Sequence, residues 1–190
     1  MRNPYIKIVI ILAIIGVAGF FATRFILSLP SKEERALINL TRTFQRGDYD
    51  GMNKLSIDGS FFKVLGNSRV FDTDGTEINW RNYASNWNED ALRLAIETYI
   101  KMHVTGLKYK HLSTQRLDDG ARAVVHFLFD FTVNDYSTGN LLAPDVYDGS
   151  AEGDCFLVRS NDGSMVIEKL DFTLVSIEGL TLKKYLPYVQ

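Results

Sequence analysis

The stretch from Ala121 to Val133 alternates between two kinds of position. Its odd positions read Ala, Ala, Val, Phe, Phe, Phe and Val, whereas its even positions mix apolar and polar residues. Because successive side chains of a strand point to opposite faces, this pattern predicts a β-strand with one apolar face and one partly polar face. At about 3.3 Å per residue the stretch could span roughly 43 Å, well beyond a usual strand of about five or six residues. A strand of this length is expected to bend, and bent sheets form hollows.

Three further stretches have strand character, namely residues 107–117, 153–160 and 165–176. The turn sequences Asp118-Asp-Gly120 and Asn161-Asp-Gly-Ser164 both contain Asp-Gly, which suits hairpins because glycine tolerates positive φ. The sequence therefore predicts four long strands that follow one another as an antiparallel meander. A short hairpin is predicted upstream of them, with Ser68–Phe71 and Thr76–Trp80 flanking Asp74-Gly75.

Helical periodicity precedes the four strands. Ser31-Lys-Glu-Glu34 has the spacing of a capping box, and the helix that it starts is expected to end at Gly47. Asp48 caps a second helix, and Asn88 opens a third that Gly106 is expected to end. Helices followed by an antiparallel meander predict the α+β fold class. The apolar faces are predicted to be Leu37, Leu40 and Phe44, then Tyr49, Met52 and Leu55, and then Leu92, Ala95, Ile96, Tyr99 and His103.

Three short motifs connect these elements: Arg46-Gly-Asp-Tyr-Asp-Gly51, Asp119-Gly-Ala-Arg-Ala-Val-Val125 and Asn161-Asp-Gly-Ser-Met-Val-Ile167. Together with the order of the elements, they resemble the NTF2-like (SnoaL-like) superfamily from about Ser31 to Ile177. Met165 stands where that family usually has Trp. The resemblance implies a cone of helices packed on a curved antiparallel sheet, with a cavity inside. Because the superfamily contains isomerases, dehydratases, transport factors and plain binding modules, the fold does not fix the function.

The first 30 residues differ from the rest in composition. Residues 8–23 carry no charge, and the apolar span extends over residues 5–29 if Lys7 and Arg24 snorkel toward the headgroups. As a helix this span covers about 37 Å, more than the roughly 30 Å of a bilayer core. We therefore expect residues 1–30 to form a short tail and a transmembrane anchor, and residues 31–190 to form the NTF2-like domain.

Two alternatives to the anchor remain open, a cleaved signal peptide and a buried core helix. Cleavage is disfavoured because a cut after Ala22 places Phe20 where a small side chain is needed, and a cut after Ala18 leaves a very short apolar core. The basic residues on the two sides do not favour an external domain. A six-residue tail before an apolar run is nevertheless typical of a signal anchor. We expect a single-pass membrane protein whose soluble domain is extracytoplasmic.

Charge and cysteine content narrow the function classes. Residues 31–190 keep 18 of the 21 basic residues and all 23 acidic ones, a formal charge of about −5, which argues against a nucleic-acid binder. Cys155 is the lone cysteine, so it cannot close an internal disulfide. His103, His111, His126 and Cys155 lack the paired spacing of zinc sites. The sequence also lacks nucleophile-elbow, P-loop and dinucleotide motifs, so we expect no metal and no cofactor.

His126 and Asp130 share one face of the long strand, but four residues place them about 13 Å apart, too far for a direct catalytic pair. We therefore expect no catalytic residue, and a modest, mainly apolar hollow instead. The alternative for both residues is a polar position on a half-wet sheet face. The possible cavity-lining residues are Tyr99, His103, Tyr109, His111, His126 and Asp130.

The segment from about Asn134 to Glu152 is predicted to be a long acidic loop. Its apolar residues Leu141, Leu142, Val146 and Tyr147 could form a cavity lid or a partner surface, and the alternative is a solvated connection. The leading hypothesis for the whole chain is a membrane-tethered, non-enzymatic module that binds a protein partner or assembles at the membrane, including as a homo-oligomer. The alternatives are a small-molecule enzyme of the dehydratase or isomerase type and a ligand carrier.

Overall fold

The computed structural model describes residues 30–71, 74–78, 88–136 and 143–177. Within these ranges, six strands form one mixed sheet in the order β2-β1-β6-β5-β4-β3. Strands β3 to β6 form the expected antiparallel meander, and β1 adds a parallel pairing with β6. The predicted α+β class is confirmed. The strands are β1 (Val70–Phe71), β2 (Glu77–Ile78), β3 (Val104–Leu117), β4 (Arg122–Asp135), β5 (Asp145–Arg159) and β6 (Met165–Ile177).

The helices begin where the capping residues predict. The carboxylate of Asp48 accepts a hydrogen bond from the Gly51 N–H at 2.8 Å, and the side chain of Asn88 accepts one from Ala91 at 2.8 Å. The sequence pattern does not predict one helix, α3, although Ser60 caps it by accepting a hydrogen bond from the Lys63 N–H. The helices are α1 (Lys32–Arg46), α2 (Tyr49–Lys54), α3 (Phe61–Asn67), α4 (Glu89–Leu94) and α5 (Lys101–His103), and a π-helical segment, Ala95–Ile100, joins α4 to α5.

The third predicted helix ends earlier than expected. It stops at His103, and Gly106 lies inside β3 with φ +63°. Val104 and Thr105 already pair with Val133 and Thr132 of β4, and the register shifts immediately afterwards. Gly106 therefore allows a bulge in the edge strand rather than a helix end.

The predicted loop from Asn134 to Glu152 is wrong in its second half, because β5 begins at Asp145. This half is rich in Asp, Gly, Ser and Glu, which have low strand propensity. Continuous pairing with β4, from Asp135 opposite Asp145 to Arg122 opposite Val158, holds it in the sheet. Tertiary pairing thus overrides local preference.

The core lies between the helices and the inner face of the sheet. Phe127 and Phe129 of β4 are 0% and 6% exposed, which confirms the predicted inner face. Leu37 of α1 and Tyr49 of α2 are fully buried against them in the same apolar cluster. Register shifts along the β3–β4 and β5–β6 pairs mark local bends of the strands. This arrangement fits the cone that the NTF2-like motifs imply.

Among the described residues, no helix has both the length and the apolar character needed to cross a bilayer. The predicted anchor, residues 5–29, lies outside the described ranges.

Candidate functional site

A cavity of about 390 Å³ opens between the helices and the inner face of the sheet. Its volume lies within the roughly 300 to 1,000 Å³ that is typical of ligand pockets. The described wall is mainly apolar, with no ionisable side chain among its residues. The main contributors are Leu40 and Phe44 of α1, Ile96 and Ile100 of the π-helical segment, Phe129 and Phe131 of β4, Ala151 of β5, and Phe172 and Val175 of β6.

Thr41 and Ser68 are the two hydroxyl-bearing residues of the described wall. The Thr41 hydroxyl donates to the carbonyl of Leu37 at 2.8 Å, and the Ser68 hydroxyl donates to the carbonyl of Val64 at 2.7 Å. Ser68 Oγ also accepts the N–H of Leu170 at 2.9 Å. Both hydroxyl hydrogens are therefore already used within the fold. The expected mainly apolar hollow is confirmed for the described residues.

His126 and Asp130 lie on the outer face of β4 and not on the wall of the cavity. The side chains alternate along the strand, and Phe127 and Phe129 take the inner positions. Asp130 is exposed, opposite Lys108 on one side and Ser150 on the other. The two candidates stay apart, as their spacing predicts.

His126 is instead held between two carboxylates of β5. Its Nδ1 lies 3.0 Å from Asp154 Oδ1, and its Nε2 lies 3.0 Å from Glu152 Oε1. Partial burial alone would lower the pKa of His126, but the hydrogen bonds to Asp154 and Glu152 outweigh it and raise the pKa above its usual value. Asp154 is opposite His126 and Glu152 is opposite Leu128, so all three side chains share one sheet face, and the correct pairing of β5 with β4 is what reveals this cluster.

Tyr109 and His111 lie on β3, outside the lining of the cavity. Tyr109 packs its ring 6.1 Å from that of Phe129, and its buried hydroxyl has no hydrogen-bond partner among the described atoms. Burial, with a smaller effect of Glu34, raises the pKa of Tyr109. His111 Nδ1 lies 3.3 Å from Glu34 Oε1, and its Nε2 lies 2.9 Å from Thr114 Oγ1. These side chains connect the edge strand to α1.

His103 lies at the end of α5, where its Nδ1 is 2.8 Å from the carbonyl oxygen of Asn134 and its ring meets that of Tyr136 edge-on. It therefore fastens this helix to the end of β4. Val146 is 60% exposed and Tyr147 is half-buried, both within β5. The side chain of Tyr99 and the residues Leu141 and Leu142 lie outside the described part of the chain.

In the part of the chain that the structure describes, no three His, Cys, Asp or Glu side chains converge as metal ligands. His126 has a carboxylate at each ring nitrogen, so its partners lie on opposite sides of the ring rather than around one point. Cys155 is fully buried, and this burial, reinforced by Asp154, raises the pKa of its thiol. The thiol is therefore protonated at neutral pH and unsuited to nucleophilic attack.

No model of a known protein family matches this chain, and no curated protein sequence matches it. Among solved structures, a conserved protein from Planctomyces limnophilus DSM 3776 has a TM-score of 0.51 at 10% identity, over 76% of this chain and 93% of that one. A ketosteroid isomerase-like protein from Erwinia carotovora atroseptica SCRI1043 has a TM-score of 0.48 at 14% identity, over 77% and 94%. An NTF2-like superfamily protein from Salmonella enterica serovar Typhimurium LT2 has a TM-score of 0.43 at 14% identity, over 74% and 88%. At such identities a likeness concerns the fold alone.

Proposed function

We propose that the chain is a membrane-tethered module of the NTF2-like kind that binds an apolar molecule in its cavity and catalyses no reaction. The observation that carries this proposal is the wall of the cavity. It offers volume and apolar contact, its described residues include no ionisable side chain, and its two hydroxyls already donate to backbone carbonyls. Ligand pockets usually combine an apolar lining with a few polar groups that orient the ligand. The described lining of this cavity is apolar and supplies no free polar group of that kind.

An acid or base must come within about 2.6 to 3.2 Å of the proton that it transfers. The ionisable cluster of His126, Glu152 and Asp154 lies on the outer sheet face, across the sheet from the cavity. A substrate inside the cavity would not reach it. This separation favours binding over the dehydratase or isomerase alternative.

The tether is proposed from the sequence. Residues 5–29 supply an apolar span long enough for a bilayer. Only two residues, Pro30 and Ser31, separate that span from Lys32, where the first helix begins. Such a short connection would keep the domain at the membrane surface, on the extracytoplasmic side. Carbonate extraction of membranes tests the anchor: if residues 5–29 span the bilayer, the full-length chain stays in the membrane pellet. Protease treatment of intact spheroplasts tests the side, because an extracytoplasmic domain is cut without lysis.

Binding of a protein partner is the second candidate function. Leu94 of α4 and Met102 of α5 are 63% and 55% exposed, and they flank the π-helical segment whose Ile96 and Ile100 line the cavity. Large exposed apolar side chains are a feature of interaction surfaces. A partner or a second copy that docks there would contact the outer side of the cavity wall.

The binding proposal is testable with the full-length protein in lipid nanodiscs and naphthalene as a probe. We expect naphthalene to shift the methyl NMR signals of Ile96 and Ile100, because both side chains line the cavity. Ala151→Leu narrows the cavity and should weaken the binding that this shift reports. Ser150→Leu adds a side chain on the opposite sheet face and should leave the shift intact. If wild type shows no shift, the cavity is not a binding site.

A further inference from the structure

We infer that the cavity selects an uncharged hydrocarbon and rejects analogues of the same size that carry a hydroxyl or a carboxylate. This inference rests on the proposed function, because it names the class of ligand for the same cavity. It depends on three features of the wall: the hydrogen bonds of its hydroxyls, the ion pairs next to it, and one small residue in the sheet.

The first feature is the absence of a free hydrogen-bond donor in the described wall. Thr41 and Ser68 donate their hydroxyl hydrogens to backbone carbonyls, and the Leu170 N–H is taken by Ser68 Oγ. A ligand hydroxyl or carbonyl oxygen that enters the cavity would lose the hydrogen bonds that it accepts from water and would meet no free side-chain donor among the described lining residues. A hydrocarbon forms no hydrogen bonds with water, so it loses none when it moves from water into the cavity. Apolar cavities of this kind stay dry and take up benzene or xenon.

The second feature is that two charged residues beside the wall, Arg69 and Asp171, are paired with each other. Arg69 lies between the lining residues Ser68 and Val70, and its guanidinium donates to Asp171 Oδ2 at 2.9 and 3.3 Å. Asp171 lies between the lining residues Leu170 and Phe172, and it also accepts from Lys169 Nζ at 2.7 Å. An anionic ligand would therefore find no unpaired cation at this part of the wall. Its carboxylate would be desolvated without compensation.

The third feature is a row of side chains across three strands of the inner face. Phe129 of β4 is opposite Ala151 of β5, which is opposite Val175 of β6, and all three line the cavity. Ala151 is the small member of this row and is 5% exposed. A larger side chain at this position would project into the space that the ligand occupies. Ala151 is therefore the residue that sets how large a hydrocarbon can enter.

The test uses naphthalene, 2-naphthol and 2-naphthoate, which share one ring system and differ in one substituent. The full-length protein in nanodiscs is titrated with each, and the methyl signals of Ile96 and Ile100 report binding inside the cavity. We expect 2-naphthol to bind at least about tenfold more weakly than naphthalene, a difference of about 1.4 kcal/mol, and 2-naphthoate more weakly still. Ala151→Leu should lower the affinity for naphthalene at least about tenfold, and Ser150→Leu should leave this affinity unchanged.

The outcomes separate this inference from the proposed function. If 2-naphthol or 2-naphthoate binds as tightly as naphthalene, the cavity still binds ligands but does not select hydrocarbons, and the inference is overturned alone. If no probe shifts the two isoleucine signals, the cavity binds nothing of this kind, and both fail. If Ala151→Leu and Ser150→Leu lower the affinity for naphthalene equally, Ala151 does not set the size limit.

Discussion

The two faces of β4 carry alternate residues of one strand and have opposite properties. On the inner face, Val125 and Phe127 are fully buried and Phe129 is 6% exposed in the wall of the cavity. On the outer face, His126 is held by two carboxylates and Asp130 is exposed. The groups that could transfer protons thus lie on the wet side, and the space that could hold a molecule lies on the dry side.

This separation also predicts how the two faces contribute to stability. Inner side chains are buried against the helices, so their truncation leaves voids. Outer side chains interact by ion pairs and hydrogen bonds that water and salt weaken. Substitutions on the inner face should therefore cost more free energy of unfolding than substitutions on the outer face.

The largest effect is expected for Phe127→Ala, because Phe127 is fully buried and stacks 4.5 Å from the ring of Phe129. We expect a loss of about 3 to 5 kcal/mol in the free energy of unfolding. Leu128→Ala on the outer face is the matched control and should cost clearly less. Chemical denaturation of the full-length protein measures both. A loss under about 1 kcal/mol for Phe127→Ala, or equal losses for both variants, would contradict the assignment of the two faces.

An intermediate effect is expected for Asp171→Ala, because Asp171 is 3% exposed and accepts hydrogen bonds from Arg69 and Lys169. Burial alone would raise the pKa of Asp171, but the hydrogen bonds from Lys169 and Arg69 outweigh it and hold the pKa below its usual value of 3.8. We expect a loss of about 1 to 3 kcal/mol near neutral pH. A carboxylate with a lowered pKa stabilises the fold above its unfolded-state pKa, and this contribution disappears as the pH falls through the folded-state pKa. The gap between wild type and variant should therefore begin to narrow below about pH 4 and close only below the folded-state pKa. A gap that stays constant would show that the ion pairs are not its cause.

The smallest effect is expected for His126→Gln. The side chain is 34% exposed, so the two carboxylate contacts should together contribute less than about 1 kcal/mol. Because the pKa of His126 is raised in the folded state, its contribution is fully present below the ordinary pKa of about 6.5 and is lost as the pH rises through the folded-state value. The difference between wild type and variant should therefore be larger at pH 5 than at pH 9. A difference that grows with pH would mean that neutral His126 is the stabilising form.

The sequence predicts the frame of the fold better than its connections. Alternation along residues 121–133 identifies β4 and its buried face because the strand has one dry and one half-wet side. Asp48 and Asn88 identify two helix starts because their side chains satisfy free backbone N–H groups. The first half of β5 is not predicted because most of its residues, Val146 and Tyr147 apart, have low strand preference, and it depends on β4 for pairing.

The candidate site could be predicted only in outline. An apolar hollow follows from a long bent strand, and the wide spacing of His126 and Asp130 excludes a direct pair. The residues expected to line the hollow were polar, whereas the described lining is apolar and comes from helices and strands far apart in sequence. No local signal distinguishes a cavity-lining Ile96 or Phe172 from an ordinary core residue, because both meet the same apolar surroundings.

The parallel pairing of β1 with β6 bears on how the chain acquires its structure during synthesis. Ser68 and Arg69 form hydrogen bonds with Leu170 and Asp171, 102 residues later in the chain. At about 5 to 20 residues per second, a ribosome needs roughly 5 to 20 s to make that interval. Throughout this time α1 to α3 have been translated, but the strand β6 that completes their contacts does not yet exist. Phe61 and Val64 are buried in the finished domain, but until β6 is made their apolar surfaces can contact other chains and aggregate. We therefore expect folding during synthesis to benefit from a chaperone that binds nascent chains.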